Sequence, residues 1–368
     1  MLRKLSLKKI VGFVLAAGVL AASTSAHASI ITDGIFTPTI TSGAPPDSPG
    51  ARVDPNTPTS AYSGVVSLNM RYNGNSFICS GALVGKRQVI SAGHCIDTDG
   101  NGTVIDITAP GNDVRVLFNS ESAVGSAGRA IVTAVAVSMD PNYKGFGKCP
   151  VGVAGFCVND DVAVITLGAD APATAKIYKV ATNPLLANTR IMMAGYGTSG
   201  DGISGYNVSP NFRIKRQGEN YTDFFDLDDE ANRAVGSNSE VYYADFDGTD
   251  AAGVNQDTFC TLYGACSPQL PNHIEAGIGG GDSGGPSFVM SYGEMMLAAN
   301  NTFSGRFNGQ VAGTFGTYFG GIVLGSYTNY LNTATNGQIT FVPEPTSIAL
   351  FGLGVAVLFG ARRRSIKK

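Results

Sequence analysis

The sequence predicts an all-β fold, a β-sandwich or barrels assembled from many short strands. Apolar runs of about four to eight residues recur from Tyr62 onward, each bounded by turn-forming residues. Glycine supplies 48 of 368 residues, close to twice the usual share of about 7%. No long amphipathic helix, no internal repeat and no glycine-rich phosphate loop opening a helix is legible. Charged residues make up only 14% against 43% hydrophobic, and the net charge is −3. That balance supplies enough apolar material for a sizeable core and excludes a disordered chain. It also leaves no basic surplus for neutralising phosphates, so nucleic acid is not an expected partner.

Residues 1–28 read as a secretory signal. Arg3, Lys4, Lys8 and Lys9 precede the apolar run Ile10–Ala22, and Ala26-His27-Ala28 offers a small-x-small cleavage site. The run is too short to span roughly 30 Å of hydrocarbon, which favours cleavage over anchoring. Residues 29–52, rich in Pro, Thr, Ser and Gly, read as a flexible pro-segment. The strand runs expected next are Val65–Met70, Phe77–Val84, Val89–Ser91, Val114–Phe118, Ala130–Val137 and Val162–Leu167. A boundary near 175–187 divides a domain over 53–178 from a second over 179–337. The second is expected to use Ile191–Ala194, Glu240–Tyr243, Ser287–Met290, Met295–Ala299 and Phe319–Leu324, and a further run, Gln338–Phe341, follows it.

Residues 338–368 form a tail of distinct chemistry. Val342-Pro343-Glu344-Pro345 leads into the apolar stretch Ile348–Gly360, then Arg362-Arg363-Arg364 and Lys367-Lys368. The basic end holds such a tail on the cytoplasmic side of a membrane. The arrangement resembles the PEP-CTERM sorting tail of Gram-negative bacteria. That resemblance implies an exosortase-type sorting enzyme as partner and contact with the inner membrane.

An exported chain keeps its cysteines oxidised, and six suggest three disulfides. Cys149/Cys157 and Cys260/Cys266 are close enough in sequence to clip their own loops, which leaves Cys79 for Cys95. A zinc site is disfavoured by the absence of a C-x-x-C pair and the scarcity of histidine.

Histidine scarcity narrows the chemistry further. Once His27 leaves with the signal, only His94 and His273 remain. An imidazole base must be one of them. His94 sits in Ser91-Ala92-Gly93-His94-Cys95, whereas His273 reads as a loop residue. Gly281-Asp282-Ser283-Gly284-Gly285-Pro286 places a serine among glycines, where the backbone can turn its amides towards a reacting carbonyl oxygen. A glycine-flanked serine also fits the hydrolase elbow, but that arrangement needs a histidine after the serine, and none follows Ser283. The order His, Asp, Ser remains. Asp161 directly precedes the apolar run Val162–Leu167 and is the preferred carboxylate, with Asp160 beside it as the alternative.

These motifs resemble those of the trypsin/chymotrypsin-type serine peptidases, family S1. The likeness rests on Cys79-Ser80-Gly81, on Ser91–Cys95, on Asp161-Val162-Ala163-Val164-Ile165 and on Gly281–Pro286, with weaker echoes in Asp140-Pro141-Asn142-Tyr143 and Gly195-Tyr196-Gly197. It implies two packed six-stranded antiparallel β-barrels with the site in the cleft between them. It further implies a Ser283 nucleophile, a His94 base, an Asp161 orienting carboxylate and an oxyanion hole from the amides of Gly281 and Ser283. Asp282 would pair with a new amino terminus at Val53 after cleavage behind Arg52, although Val53-Asp54-Pro55-Asn56 departs from the family's Ile-Val-Gly-Gly. The specificity pocket would be walled by Gly277, Ile278, Thr302, Phe303 and Ser304. Gly277 stands where a trypsin-like pocket carries aspartate, and the pocket cysteine is missing, so an apolar or small P1 residue is expected. Glu275 lies close enough in sequence to add charge.

The expected activity is therefore that of an exported serine endopeptidase, with a protein or peptide substrate and no required cofactor. The rival expectation is an inactive protease fold serving as a surface or matrix binding protein. Asp97-Thr98-Asp99-Gly100-Asn101-Gly102 has the spacing of a calcium loop, so Asp97, Asp99 and Asn101 are candidate calcium ligands, although Thr108 replaces the usual bidentate glutamate. The acidic cluster Asp223, Asp226, Asp228, Asp229 and Glu230 reads as a solvated loop.

Overall fold

The computed structural model describes residues 35–36, 39–43, 47–121 and 129–343. The signal segment and all of the tail beyond residue 343 lie outside the described residues.

The first domain is a closed barrel of six strands: β1 (Val65–Tyr72), β2 (Asn75–Leu83), β3 (Gln88–Ser91), β4 (Asp113–Phe118), β5 (Ala130–Met139) and β6 (Ala163–Leu167). Every neighbouring pair is antiparallel, in the cyclic order β1-β2-β3-β6-β5-β4. Asn73-Gly74 makes the β1–β2 hairpin because both residues accept positive φ, 49° and 78°, as a tight two-residue turn requires. The period-two pattern then sorts side chains between two cores. Val66, Leu68 and Met70 point into the barrel with Val89, Val114, Phe118 and Ile165. Their neighbours Val65, Ala82, Ile90 and Val164 face outward and pack with Phe288, Leu297 and Phe303 of the second domain.

The second domain is built on β7 (Arg190–Gly195), β8 (Arg216–Tyr221), β9 (Phe224–Leu227), β10 (Ser239–Asp245), β11 (Pro286–Ser291), β12 (Glu294–Arg306) and β13 (Tyr318–Val323). Its ladder runs β8-β7-β11-β12-β13-β10-β9, again antiparallel. The two end strands are separated only by Thr222-Asp223, so the sheet must curl back on itself. Asp223 N–H donates to Tyr243 O at 2.8 Å across the junction, and Asn220 Nδ2 donates to Asp245 O at 2.8 Å.

Sequence pattern alone did not reveal β8. Its inward positions, Arg216, Gly218 and Asn220, are buried but not apolar, so the hydrophobic alternation is missing although the structural one is present. Three helices are short: α1 (Gly93–Ile96), α2 (Thr258–Tyr263) and α3 (Thr328–Ala334). Among the described residues no helix is long and apolar enough to cross a membrane.

Both flanking segments join the second domain. Thr39–Thr41 pairs antiparallel with Gly277–Gly279, and Ile35–Phe36 pairs with Gly305–Arg306 of β12. Residues 35–36 and 39–41 of the pro-segment are thus held in β-ladders, which its composition did not suggest. At the other end the expected run Gln338–Phe341 is in a strand only at Phe341, which with Val342 pairs parallel to Val180–Ala181.

Candidate active site

β3 ends at Ser91, and the single turn of α1 presents His94 at the mouth of the first barrel. The Cys79–Cys95 disulfide ties that turn to β2, with Cα atoms 6.2 Å apart. Asp161 immediately precedes β6 and is fully buried. Its Oδ2 lies 2.6 Å from His94 Nδ1, and its Oδ1 accepts the His94 backbone N–H at 2.7 Å. Two bonds to one residue fix both the ring and the main chain that carries it. The imidazole is one-fifth exposed and meets the edge of Phe146 at 5.1 Å.

The neighbouring Asp160 takes no part in this contact. It sits at φ 62°, and a carboxylate oxygen lies within 4.8 Å of those of Asp229 and Glu230. Burial, with the Glu240 charge behind it, pushes its carboxyl up to about 9. The choice between adjacent aspartates is made by the backbone, which turns their side chains in different directions.

Ser283 lies in the turn between the Gly277–Gly279 strand and β11. Gly281 at φ 104° and Gly284 at φ 76° are conformations that L side chains resist. Around the serine, Asp282 N–H is taken by Gly279 O, Gly284 N–H by Asn301 O and Gly285 N–H by Asp282 O. The N–H groups of Gly281 and Ser283 find no acceptor among the described residues. They are the two donors left free beside the hydroxyl. Ser283, Gly281 and His94 line one cleft of about 190 Å³, walled by Phe77 and Ile78. Among the described residues no hydrogen bond joins Ser283 to His94, although both line this cleft.

Sequence reasoning missed Asn300. Its Nδ2 donates to the carbonyls of both Ser91 and Asp161, at 3.1 and 3.2 Å. It therefore bridges the chain entering His94 to the chain carrying its carboxylate. A pair of asparagines following the apolar run Leu297–Ala299 was the available signal, since a buried amide needs partners.

Asp282 is fully buried, and its carboxylate accepts the N–H groups of Gly197 at 2.8 Å and Gly279 at 2.9 Å. Burial pushes it well above the usual carboxylate range, while the Arg216 guanidinium pulls it back. Val53 bridges to the backbone of Arg216. Arg52 is buried as well. It pairs with Asp47 at 2.5 Å and donates to the carbonyls of Ile274 and Glu275.

The expected pocket residues Gly277, Ile278, Thr302, Phe303 and Ser304 are all buried. Tyr206, not anticipated, reaches this region, with its hydroxyl 3.5 Å from Ile278 O. Glu275 is buried and accepts Leu270 N–H, and burial drives it well above its ordinary value. His273 is exposed. Disulfides join Cys149 to Cys157 and Cys260 to Cys266.

In the Asp97–Asn101 loop the carboxylate of Asp97 accepts the N–H groups of Asn101 and Gly102, and Asp99 accepts the Asn101 amide. The acidic cluster is not solvated as expected. Asp223, Asp226 and Asp229 are buried, because the curling of β8 into β9 draws that stretch inward. Arg233 offsets Asp226 at 3.1 Å.

The trypsin family profile matches residues 54–217, and the PEP-CTERM protein-sorting motif matches residues 341–364. A trypsin-like protease of Streptomyces glaucescens is 31% identical over 124 residues, covering 34% of this chain and 37% of that relative. The chain thus spans little more than a third of the curated relative it matches. The profile stops short of Ser283, so the placement of that turn rests on the geometry above. Residues 54–217 belong to the trypsin family, S1, and residues 341–364 are a PEP-CTERM protein-sorting motif.

Proposed function

We propose that the chain is an exported serine endopeptidase that hydrolyses peptide bonds through an acyl-enzyme intermediate. The observation that carries this reading is the doubly bonded Asp161–His94 pair opening onto the cleft that holds Ser283. In this reaction Ser283 Oγ attacks the substrate carbonyl, and His94 Nε2 takes its proton and returns it to the leaving amine. Asp161 holds the imidazole with Nδ1 protonated and stabilises the imidazolium. The free amides of Gly281 and Ser283 receive the oxyanion. Water then releases the acyl group by the same proton route. A fluorophosphonate should label the activated protein at Ser283 and leave Ser283→Ala unlabelled. Absence of labelling after activation refutes the peptidase reading. Matrix attachment unchanged in Ser283→Ala would instead favour a binding module.

The same reading makes the protein a zymogen. Thr39–Thr41 runs along the Gly277 wall and Ile35–Phe36 extends the edge of β12, so the pro-segment occupies the flank of the specificity region. Cleavage after Arg52 would free Val53 beside Arg216, the cation that acts on Asp282. Because Arg52 is buried, residues 47–53 must open before a protease can reach the bond. N-terminal sequencing of the active species is expected to begin at Val53, and any other start removes this site. The sorting motif, with residues 1–28 read as a signal, supports a location at the cell envelope, with an exosortase-type enzyme and the inner membrane as partners of the tail. Glycine at 277 supports an apolar or small P1 residue, to be read from a peptide-library cleavage profile.

A further inference from the structure

An acidic knot lies apart from the machinery described above. Asp245 ends β10, Asp247 follows two residues later, and Asp257 caps α2. One carboxylate oxygen from each lies within 4.8 Å of the others. Asp245 and Asp247 are 1% and 2% exposed, and Oδ1 of each accepts no hydrogen bond among the described residues. The remaining contacts hold the group in place: Asp245 Oδ2 accepts Phe259 N–H at 2.7 Å, and Asp257 Oδ1 accepts Cys260 N–H at 2.9 Å.

Among the described residues no basic side chain pairs with these carboxylates. None of the ion pairs among the described residues includes Asp245, Asp247 or Asp257. Asp223 and Glu275 add further negative charge to the field at Asp247. The cation acting nearby, Arg52, works on Glu275 and is already paired with Asp47. Unpaired carboxylates buried side by side are strongly unfavourable unless a proton or a cation joins them.

We propose that Asp245, Asp247 and Asp257 form a binding site for a hard divalent cation of the calcium class. The donor set is oxygen only, which selects such ions over softer metals. Oxygens 4.8 Å apart or less can share an ion whose bonds are about 2.3–2.6 Å long. The bound ion would join the end of β10, the Gly248–Gln256 hairpin turn and the start of α2. Asn220 extends that brace, since its Nδ2 spans the carbonyls of Asp245 and Ala276, and Gly277 follows directly. The ion would thereby stiffen the chain leading to Ser283 without touching the reacting atoms. This site is separate from the Asp97–Asn101 loop.

The test uses the full chain, freed of metal by a chelator and titrated with calcium chloride or magnesium chloride, read by calorimetry and thermal melting. Calcium should bind with a dissociation constant on the order of 10⁻⁴–10⁻³ M, as in extracellular sites, and raise the melting temperature more than magnesium does. Asp247→Asn should weaken binding at least tenfold, yet melt no lower than the unsubstituted chain in chelator, because it puts a neutral amide of the same shape beside Asp245. Asp257→Asn retains the cap acceptor and should weaken binding in the same way, which guards against misfolding of the first variant. Absence of calcium binding overturns the proposal. So does binding that survives both variants, or that is lost only in Asp99→Ala.

Discussion

Asp160 and Asp161 are chemically identical neighbours with opposite surroundings. Asp161 is fixed by two bonds to His94, and replacing it with asparagine removes the acceptor that selects the Nδ1–H tautomer. Asp161→Asn is expected to lower kcat by about 10⁴, as in chymotrypsin-type enzymes, measured on a chromogenic ester after activation. Asp160→Asn should leave turnover unchanged and alter stability instead. The folded value of Asp160 lies near 9, far above the roughly 3.9 of an unfolded chain. Below about pH 4 both states hold the proton and the full stability is present. As pH rises towards 9 the unfolded chain ionises first, so stability falls across that window. Asparagine escapes the loss and tolerates the positive φ. Asp160→Asn should therefore melt higher than the parent at pH 8, by about 1–2 kcal/mol, with the gap closing near pH 4. An equal gap at both values would mean that Asp160 does not titrate in this way.

Elements carry the next level of constraint. α1 is one turn long and cannot hold its own shape, so its geometry is borrowed from the Cys79–Cys95 bridge and from Asp161. The bridge closes a loop with a sequence separation of 16, for which chain entropy predicts about 3 kcal/mol. The paired variant Cys79→Ala with Cys95→Ala should lose about that much in urea denaturation and should label more slowly at Ser283. Full labelling speed would show that Asp161 alone positions α1. The strands of the first barrel were legible because each contains a short apolar run set between turn signals. β8 was not, since its buried positions hold an arginine, a glycine and an asparagine, with Arg216 Nε bonded to Pro49 O and Asn220 Nδ2 to the carbonyls of Asp245 and Ala276. The short strands at Thr39–Thr41 and Val180–Ala181 were equally silent, because two or three residues carry no period.

At the scale of the whole molecule, the two domains share one apolar cluster. Val65, Ala82, Ile90 and Val164 from the first barrel meet Phe288, Leu297 and Phe303 from the second. His94 and Asp161 belong to one domain and Ser283 to the other, so this contact sets their separation. Leu297→Ala removes buried volume there and should cost about 2–5 kcal/mol. It should also depress turnover at temperatures where the protein remains folded, although Leu297 is remote in sequence from every reacting residue. A melting loss with turnover intact would show that the cleft is held by the hydrogen bonds of Asn300 alone.

The order of a histidine, an aspartate and a serine, the glycines around that serine, two sequence-local cysteine pairs and the short apolar strand runs were legible in the sequence itself. Each is a local property, fixed by a residue type or by a short period. Which aspartate faces the imidazole, where the pro-segment lies and why acidic residues sit inside the second domain were decided only by tertiary structure. Those outcomes depend on partners far along the chain, such as Asn300 with Ser91 or Thr41 with Gly277. Contacts of that kind exist only after long loops have closed, and no short stretch of residues encodes them.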